Sequence, residues 1–364
     1  MKSRIDTYGI GPSRSRRRRR RRRIDRQDGR RVKPTPSRGV TGLQRPGRTV
    51  AEVHLVGEAI VAGTRIEGCE VVRVVDGDSL RVRLPADAVP LARDAGLDAE
   101  LAIRVPCLDT EESRRGSSKP VTVAGTLASG RAQALLPAGA AVTLEFDTAD
   151  PPAECFRRHQ DNYQRLLAYV LLGDGADLTR TMISEGFSPY FVKYGRSRLR
   201  HGELLAAEAQ AQADRKVIWD PDVNAGGPSR DYGALLPWWG LRDSIVQDFR
   251  TARPAGVLSV RLDHGALVRA AREGAEATVF ADLQQGIDRP IPIGHRVLAG
   301  SPNHPLDLIV RDDVPRAAAV LDLIERRYAG TGGRGYVFVS GRLSVFRGRP
   351  QIELADPAQL RDTP

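Results

Sequence analysis

The sequence predicts a mainly β fold with added helices, an α+β class, whose first part is a five-stranded Greek-key barrel of the OB type. Two observations carry this. Short runs alternate apolar and polar residues at the period of a half-buried strand. The helical stretches are interposed late and trail the strands, instead of following every strand as a doubly wound sheet requires.

The first strand is "IEGCEVVRVV", from residue 66, and it runs into the Asp-Gly turn of "VVDGDSLRVRL", residues 74–84. Asp-Gly is a tight-turn signal, with glycine expected to supply a positive φ. Leu80, Val82 and Leu84 then alternate with Arg81 and Arg83, which predicts the second strand. "PADAVPLARDAGLDAE" reads as a loop. In "LAIRVPCL" the residues Leu101, Ile103, Val105 and Cys107 share one face and Arg104 the other, giving the third strand. A basic loop, "ESRRGSSKP", precedes the helical "TVAGTLASGRAQALLPAG". "AVTLEF" and "RLLAYVLL" are the fourth and fifth strands; "ADLTRTMISEGF" and "GELLAAEAQAQADRKVIW" are helices, the second rich in strong helix formers. "DPDVNAGGPSRDYG", residues 220–233, is dense in turn formers and marks a boundary.

Beyond it, "YGALLPWWGLRDSIVQDFR" spaces Leu241, Ile245, Val246 and Phe249 as one helix face, with Trp238 and Trp239 expected in the core. "GVLSVRL", "EATVFADL" and "LDLIVRD" read as strands and "VPRAAAVLDLIERRYAG" as a helix. "GYVFVSGRLSVFRGRPQIELADPAQL" reads as a hairpin turning at Arg347 and Gly348. The expected division is a tail over 1–50, a first domain over 51–222, a linker and helix over 223–254, and a second domain over 255–364.

The 364 residues carry a net charge of +11, yet residues 1–48 alone hold 18 basic residues against 3 acidic ones. The excess therefore sits in the tail, where "RSRRRRRRRR" and the following "DGRRVKPTPSRG" lack apolar periodicity and read as disordered. Such a block can attract a polyphosphate backbone by counterion release, or can be a solvated tail. No apolar run approaches the roughly 18 residues of a membrane span, and no apolar stretch follows the Arg block as a secretory signal requires. No membrane partner is expected, and a cytoplasmic location is. Cys69, Cys107 and Cys155 are widely spaced without a C-x-x-C arrangement, which argues against a disulfide framework and a thiolate zinc site. His264, His295 and His304 likewise lack metal-ligand spacing.

Three patches carry the chemistry: "DGDS" at the first turn, "RVPCLDTEES" leaving the third strand and "DNYQRLLAYV" entering the fifth. Each alone is common. Together they resemble the thermonuclease, or staphylococcal-nuclease-like, family, whose motifs run approximately I-D-G-D-T, R-x-x-x-x-D-T-P-E and D-x-Y-G-R-x-L-A-Y. The resemblance covers about residues 66–220, including the closing "EAQAQADRKVIW".

It implies a calcium-dependent nuclease hydrolysing phosphodiester bonds of DNA and/or RNA. The implied calcium ligands are Asp78, Asp109 and the backbone carbonyl of Thr110, hard oxygen donors of the kind a calcium ion collects about six to eight of. Asp76 is the neighbouring acid, outside the ligand shell or simply a turn residue. Glu112 falls on the family's general base, with Glu111 the alternative if the register is shifted. Arg104 and Arg165 match two arginines whose planar guanidinium groups suit the charged oxygens of a phosphorane-like transition state. Tyr163 matches a nucleotide-contacting tyrosine; Tyr190 and Tyr194 fall loosely where base-side tyrosines lie, with core packing the alternative. The chain departs from the pattern at Gln164, where the family has glycine, at Glu111 for proline and at Ser79 for threonine, and in two insertions, "PADAVPLARDAGLDAE" and "ECFRRHQ".

The second domain resembles an OB-fold nucleic-acid-binding module, with Phe346 among Arg342, Arg347 and Arg349 as the expected contact, or an ordinary hairpin with charged edges. Two further functions stay open: a non-catalytic nucleic-acid or protein platform, and a repair or processing factor whose nuclease is restrained by the second domain.

Overall fold

The computed structural model describes residues 62–114, 119–161, 163–283, 287–330 and 333–364. The Arg-rich tail expected over 1–50 lies outside the described residues.

The first sheet is mixed with helices, as predicted. Its elements are β1 (Arg65–Asp76), β2 (Ser79–Arg83), α1 (Val89–Asp94), β3 (Glu100–Arg104), α2 (Val123–Leu135), β4 (Ala141–Glu145), α3 (Pro152–Arg158), β5 (Leu166–Leu167), β6 (Tyr169–Leu171), α4 (Leu178–Ser184) and α5 (His201–Ala213). The strands form one curled sheet in the order β5-β3-β2-β1-β4-β6. The predicted fifth strand is thus broken at Ala168, and its two halves pair at opposite edges, β5 parallel to β3 and β6 antiparallel to β4. Both edges of the sheet therefore come from a single run of chain. The long β1 serves both neighbours because its register slips between Ile66 and Cys69, where Gly68 stands at φ 70°, and again before Arg73 and Asp76. Such bulges bend and twist a strand.

The alternation read in the sequence is what packs the interior. Val71, Leu80, Val82, Leu101, Ile103, Leu144, Phe146, Leu166 and Tyr169 all face inward and are buried. The helix α2 lays its small residues Ala124, Ala128 and Ala132 inward. Both expected loop insertions contain short helices, α1 and α3, each with proline in its first turn, where the missing N–H has no helical partner to lose. All three cysteines are free and buried, and burial pushes each thiol up to about 12.

The second half comprises α6 (Tyr232–Ala252), β7 (Leu258–Ser259), α7 (His264–Glu273), β8 (Glu276–Asp282), β9 (Ile287–Ile291), β10 (Gly294–Gly300), β11 (Pro305–Arg311), α8 (Ala317–Leu323), β12 (Tyr336–Phe346), β13 (Arg349–Glu353) and β14 (Leu360–Arg361). Its sheet runs β7-β8-β12-β13-β11-β10-β9, with β14 beside β12, and it stays open. From β8 to β10 the pairing order repeats that of the first sheet, with a helix between the third and fourth members and the third and fifth parallel. Three expectations are corrected. "GVLSVRL" contributes only the two residues of β7, because the chain then turns into α7; α7 was not anticipated; and neither was the β9–β10 hairpin. The β12–β13 turn does fall at Arg347 and Gly348, both left-handed at φ 49° and 78°.

Helix α6 is the strut between the halves. Trp239, Ile245, Val246 and Phe249 are buried as expected, whereas Leu241 is exposed: the buried stripe passes through Arg242 and Asp243 instead. Arg242 is fully buried; its Nη1 donates to the Arg334 carbonyl at 3.0 Å, its Nε to the Lys193 carbonyl at 3.3 Å, and its guanidinium lies 4.0 Å from the Tyr336 ring centroid. One side chain thereby joins residues of both halves. Asp243 accepts from the Arg196 backbone N–H at 2.7 Å and from its Nε at 2.8 Å. At Gly335, φ 73°, a Cβ would stand 1.7 Å from Arg242 Nη1.

Arg242→Met is expected to lower unfolding stability by roughly 3 kcal/mol, since it strands buried carbonyls and removes a buried cation. Gly335→Ala, which intrudes on the same group, should also be destabilising; urea unfolding of both variants measures this.

Candidate active site

The site is assembled at the β1–β2 turn. Asp76 Oδ1 accepts from the Gly77 N–H at 2.8 Å, so Asp76 caps the turn while still lining the cleft described below. Gly77 is not in the left-handed region. It is needed because a Cβ there would lie 2.7 Å from Thr110 Cγ2: the turn and the loop after β3 approach too closely for any side chain. That approach lets the Thr110 N–H donate to Asp78 Oδ2 at 3.2 Å, while Ser79 Oγ donates to Asp78 Oδ1 at 2.8 Å.

Arg104, the last residue of β3, sits opposite Ser79 in the ladder. Its Nη2 lies 3.3 Å from both Asp78 and Asp109, so one guanidinium nitrogen bridges two carboxylates distant in sequence. All three side chains are only 13–15% exposed. Arg165 arrives from the other direction, just before β5. Asp161 holds it, accepting from its N–H at 2.9 Å and its Nε at 2.7 Å, and its Nη1 donates to Ser79 Oγ at 3.3 Å. Ser79 therefore links Arg165 to Asp78. Gln164 takes up the left-handed conformation, φ 62°, that glycine would adopt freely, so the departure from the family pattern leaves Arg165 facing the cleft.

These residues line one cleft of about 600 Å³ together with Glu112, Lys119, Tyr163, Arg73 and Arg81. Tyr163 is 81% exposed with the Arg165 guanidinium 5.5 Å from its ring centroid. Glu112 lies in the cleft, 3.6 Å from Lys119 Nζ. Glu111 faces away and is buried; it accepts from Tyr232 Oη at 3.0 Å and Asn224 Nδ2 at 2.9 Å. Of the two glutamates, Glu112 is the one at the cleft.

Neither of the two loosely placed tyrosines lines the cleft. Tyr190 is 2% exposed, with its Oη accepting from the Ser197 N–H at 2.9 Å, because it packs in the core and has no face to offer a base. Tyr194 is exposed but stands against Phe191 and Lys193 and does not line the cleft. In the second half, Phe346 is 58% exposed at the hairpin tip with Arg347 5.3 Å from its ring centroid. Arg349 instead forms a two-pronged pair with Asp307 at 2.7 and 2.8 Å, and Arg342 Nε donates to the Gly274 carbonyl at 3.1 Å.

Sequence reasoning missed Arg230. Its Nη1 donates to Asp109 Oδ2 at 2.7 Å and to the Asp109 carbonyl at 3.0 Å, and its Nη2 donates to the Thr110 carbonyl at 2.7 Å. Burial alone would lower this guanidinium's pKa, but the Asp109 carboxylate beside it holds it above its ordinary value. Nothing in the turn-rich segment marks this residue, since its contacts are with residues about 120 positions earlier. The consequence for calcium is direct. Asp78, Asp109 and the Thr110 carbonyl are hard donors of the right kind. With Arg230 seated on Asp109 and Thr110, however, they do not fit a bound cation, and among the described residues no group of three His, Cys, Asp or Glu is arranged to hold one.

Gln164→Gly is expected to stabilise the fold by about 0.5–1 kcal/mol, the relief of a left-handed non-glycine residue partly offset by a more flexible unfolded chain. Thermal unfolding of the variant checks it, with an unchanged or lower midpoint counting against the strain at this position.

Residues 103–221 match the family model described as "Staphylococcal nuclease homologue". Endonuclease YhcR of Bacillus subtilis (strain 168) is 26% identical over 149 residues, which is 41% of this chain and 11% of that protein. The chain therefore spans a small part of that relative's length. Arg104, Asp109, Thr110, Glu112, Tyr163 and Arg165 lie within the matched region, Asp76 and Asp78 before it, and Arg230 beyond it. No described helix is long and apolar enough to cross a membrane. The chain carries a staphylococcal nuclease-like domain at residues 103–221 and is a distant homologue of endonuclease YhcR.

Proposed function

We propose that the cleft hydrolyses phosphodiester bonds of DNA or RNA. The observation that carries this reading is the convergence of Arg104 and Arg165, from separate segments, on one cleft that also holds Asp78, Asp109 and Glu112. A phosphodiester entering it meets two planar cations whose N–H groups suit its nonbridging oxygens, those of Arg104 by exchange with the Val105 carbonyl and the carboxylates they now hold. Their present partners, Asp78 and Asp109 for Arg104 and Asp161 for Arg165, hold the guanidinium groups in orientation before substrate arrives. Negative charge grows on those oxygens as a fifth ligand reaches phosphorus, so preorganised donors act mostly on the transition state. Glu112 accepts the proton of the attacking water, with Lys119 beside its carboxylate. Tyr163, largely exposed at the rim, offers a face on which a base of any kind stacks.

The family's usual calcium requirement enters this reading through Asp78, Asp109 and Thr110, on the condition that Arg230 gives up its oxygens. The second sheet is read as an OB-like module that holds the polymer, supported by its strand order and by the exposed Phe346 and Arg347 at the hairpin tip.

Digestion of single- and double-stranded DNA and RNA with calcium, magnesium or chelator tests the chemistry. Arg104→Ala and Arg165→Ala should each lower kcat about 100-fold, near 3 kcal/mol of transition-state stabilisation. Glu112→Gln should lower kcat with little change in substrate affinity, and wild-type rates in all three variants would reject the mechanism. For the second sheet, Phe346→Ala with Arg347→Ala should weaken polymer binding by about 1 kcal/mol or more and flatten its salt dependence. Identical binding isotherms would leave the hairpin tip without that role.

A further inference from the structure

We propose that Arg230 is an internal cation of this site, in competition with a divalent metal ion for the oxygens of Asp109 and Thr110. A metal ion enters only as the strap that carries Arg230, residues 220–232, withdraws. This rests on Asp78, Asp109 and Thr110 being cation ligands, but not on which polymer is cut.

The charges favour competition over coexistence. Two mostly buried carboxylates, Asp78 and Asp109, face two mostly buried guanidinium groups, Arg104 and Arg230. The set is neutral as it stands. A dication added beside Arg230 would meet a like charge at hydrogen-bond distance from the same oxygens, in a place where water screens little. Departure of Arg230 takes one positive charge away and frees one oxygen of Asp109 and both carbonyls, while Arg104 stays on Asp78 and on the other oxygen of Asp109.

The strap is built to be released. It is tied at two points flanking Arg230, both of which reach the loop that bears the ligands. Asn224 donates to Glu111 and accepts from the Ala124 N–H at 3.1 Å, and Tyr232 donates to Glu111 and packs its ring 5.3 Å from that of Trp219. Between them, residues 225–229, "AGGPS", are exposed and make no side-chain hydrogen bond among those described. Little buried surface opposes their opening. Because Glu111 adjoins Thr110, the state of the strap is felt at the ligand carbonyl.

The test is calorimetric titration of the full chain with calcium chloride, for wild type, Arg230→Ala and Arg230→Gln. The glutamine variant keeps a donor for the Thr110 carbonyl without the charge. Competition predicts calcium affinity about tenfold tighter or more in both variants, since the binding-competent fraction no longer depends on release of the guanidinium. It also predicts that calcium raises amide hydrogen exchange over residues 224–232 in the wild type. Equal affinities would overturn the proposal. Weaker binding in the variants would overturn it as well, by showing that Arg230 shapes the ligands for the metal. If no protein binds calcium, the ligand assignment falls and the competition with it, whereas nucleic-acid cleavage by the wild type in chelator would still stand as evidence for the phosphodiesterase reading.

Discussion

One guanidinium nitrogen between two carboxylates holds this site together. Asp78 belongs to the first turn of the curled sheet and Asp109 to the loop after β3, and at such range, largely shielded from water, their charges repel strongly. Arg104 Nη2, 3.3 Å from each, turns that repulsion into a joint. The joint depends on backbone as much as on charge, for it closes only because Gly77 leaves room for Thr110. Remove either condition and the loop bearing Asp109, Thr110 and Glu112 loses its seat on the sheet.

Much of this was legible in the sequence because it is local. Strand alternation reports a half-buried surface directly, so Leu80, Val82, Leu101 and Ile103 appear inside as expected. The spacing of Arg104 from Asp109, and of Tyr163 from Arg165, survives as a motif because each pair lies on one short segment. What was not legible is long-range. Gly77 looked like a glycine chosen for its own φ, whereas its constraint is another loop. Tyr190 and Tyr194 share a segment with aromatic residues that serve the core, and no local pattern separates a buried ring from a presented one. Arg242 and Asp243 interrupt an apolar helix face with charges, which reads as surface until the carbonyls that Arg242 donates to and the Arg196 N–H groups that Asp243 accepts from are seen. The helix α7 and the β9–β10 hairpin were lost among glycines and prolines whose meaning depends on the sheet they join.

The match to the family model ends at residue 221, and the cluster around Asp109 and Thr110 does not. Asn224, Arg230 and Tyr232 all reach back to residues 109–111 or to the start of α2, and helix α6 follows directly. A region that composition marks as a boundary is, in three dimensions, packed against the loop that bears Asp109 and Thr110. Turn-forming residues there give the chain room to reverse; they do not separate it from what came before.

The break at Ala168 has a consequence of its own. Since residues 166–171 supply both margins of the curled sheet, each margin is a strand of only two or three residues, too short to invite a stranger's strand, the usual hazard of sheets that end in the open. The same economy makes the stretch intolerant of changes in length. One residue inserted or lost there would shift two ladders at once, inverting which side chains face inward on both, so this seam should accept new side chains far more readily than a new count of them.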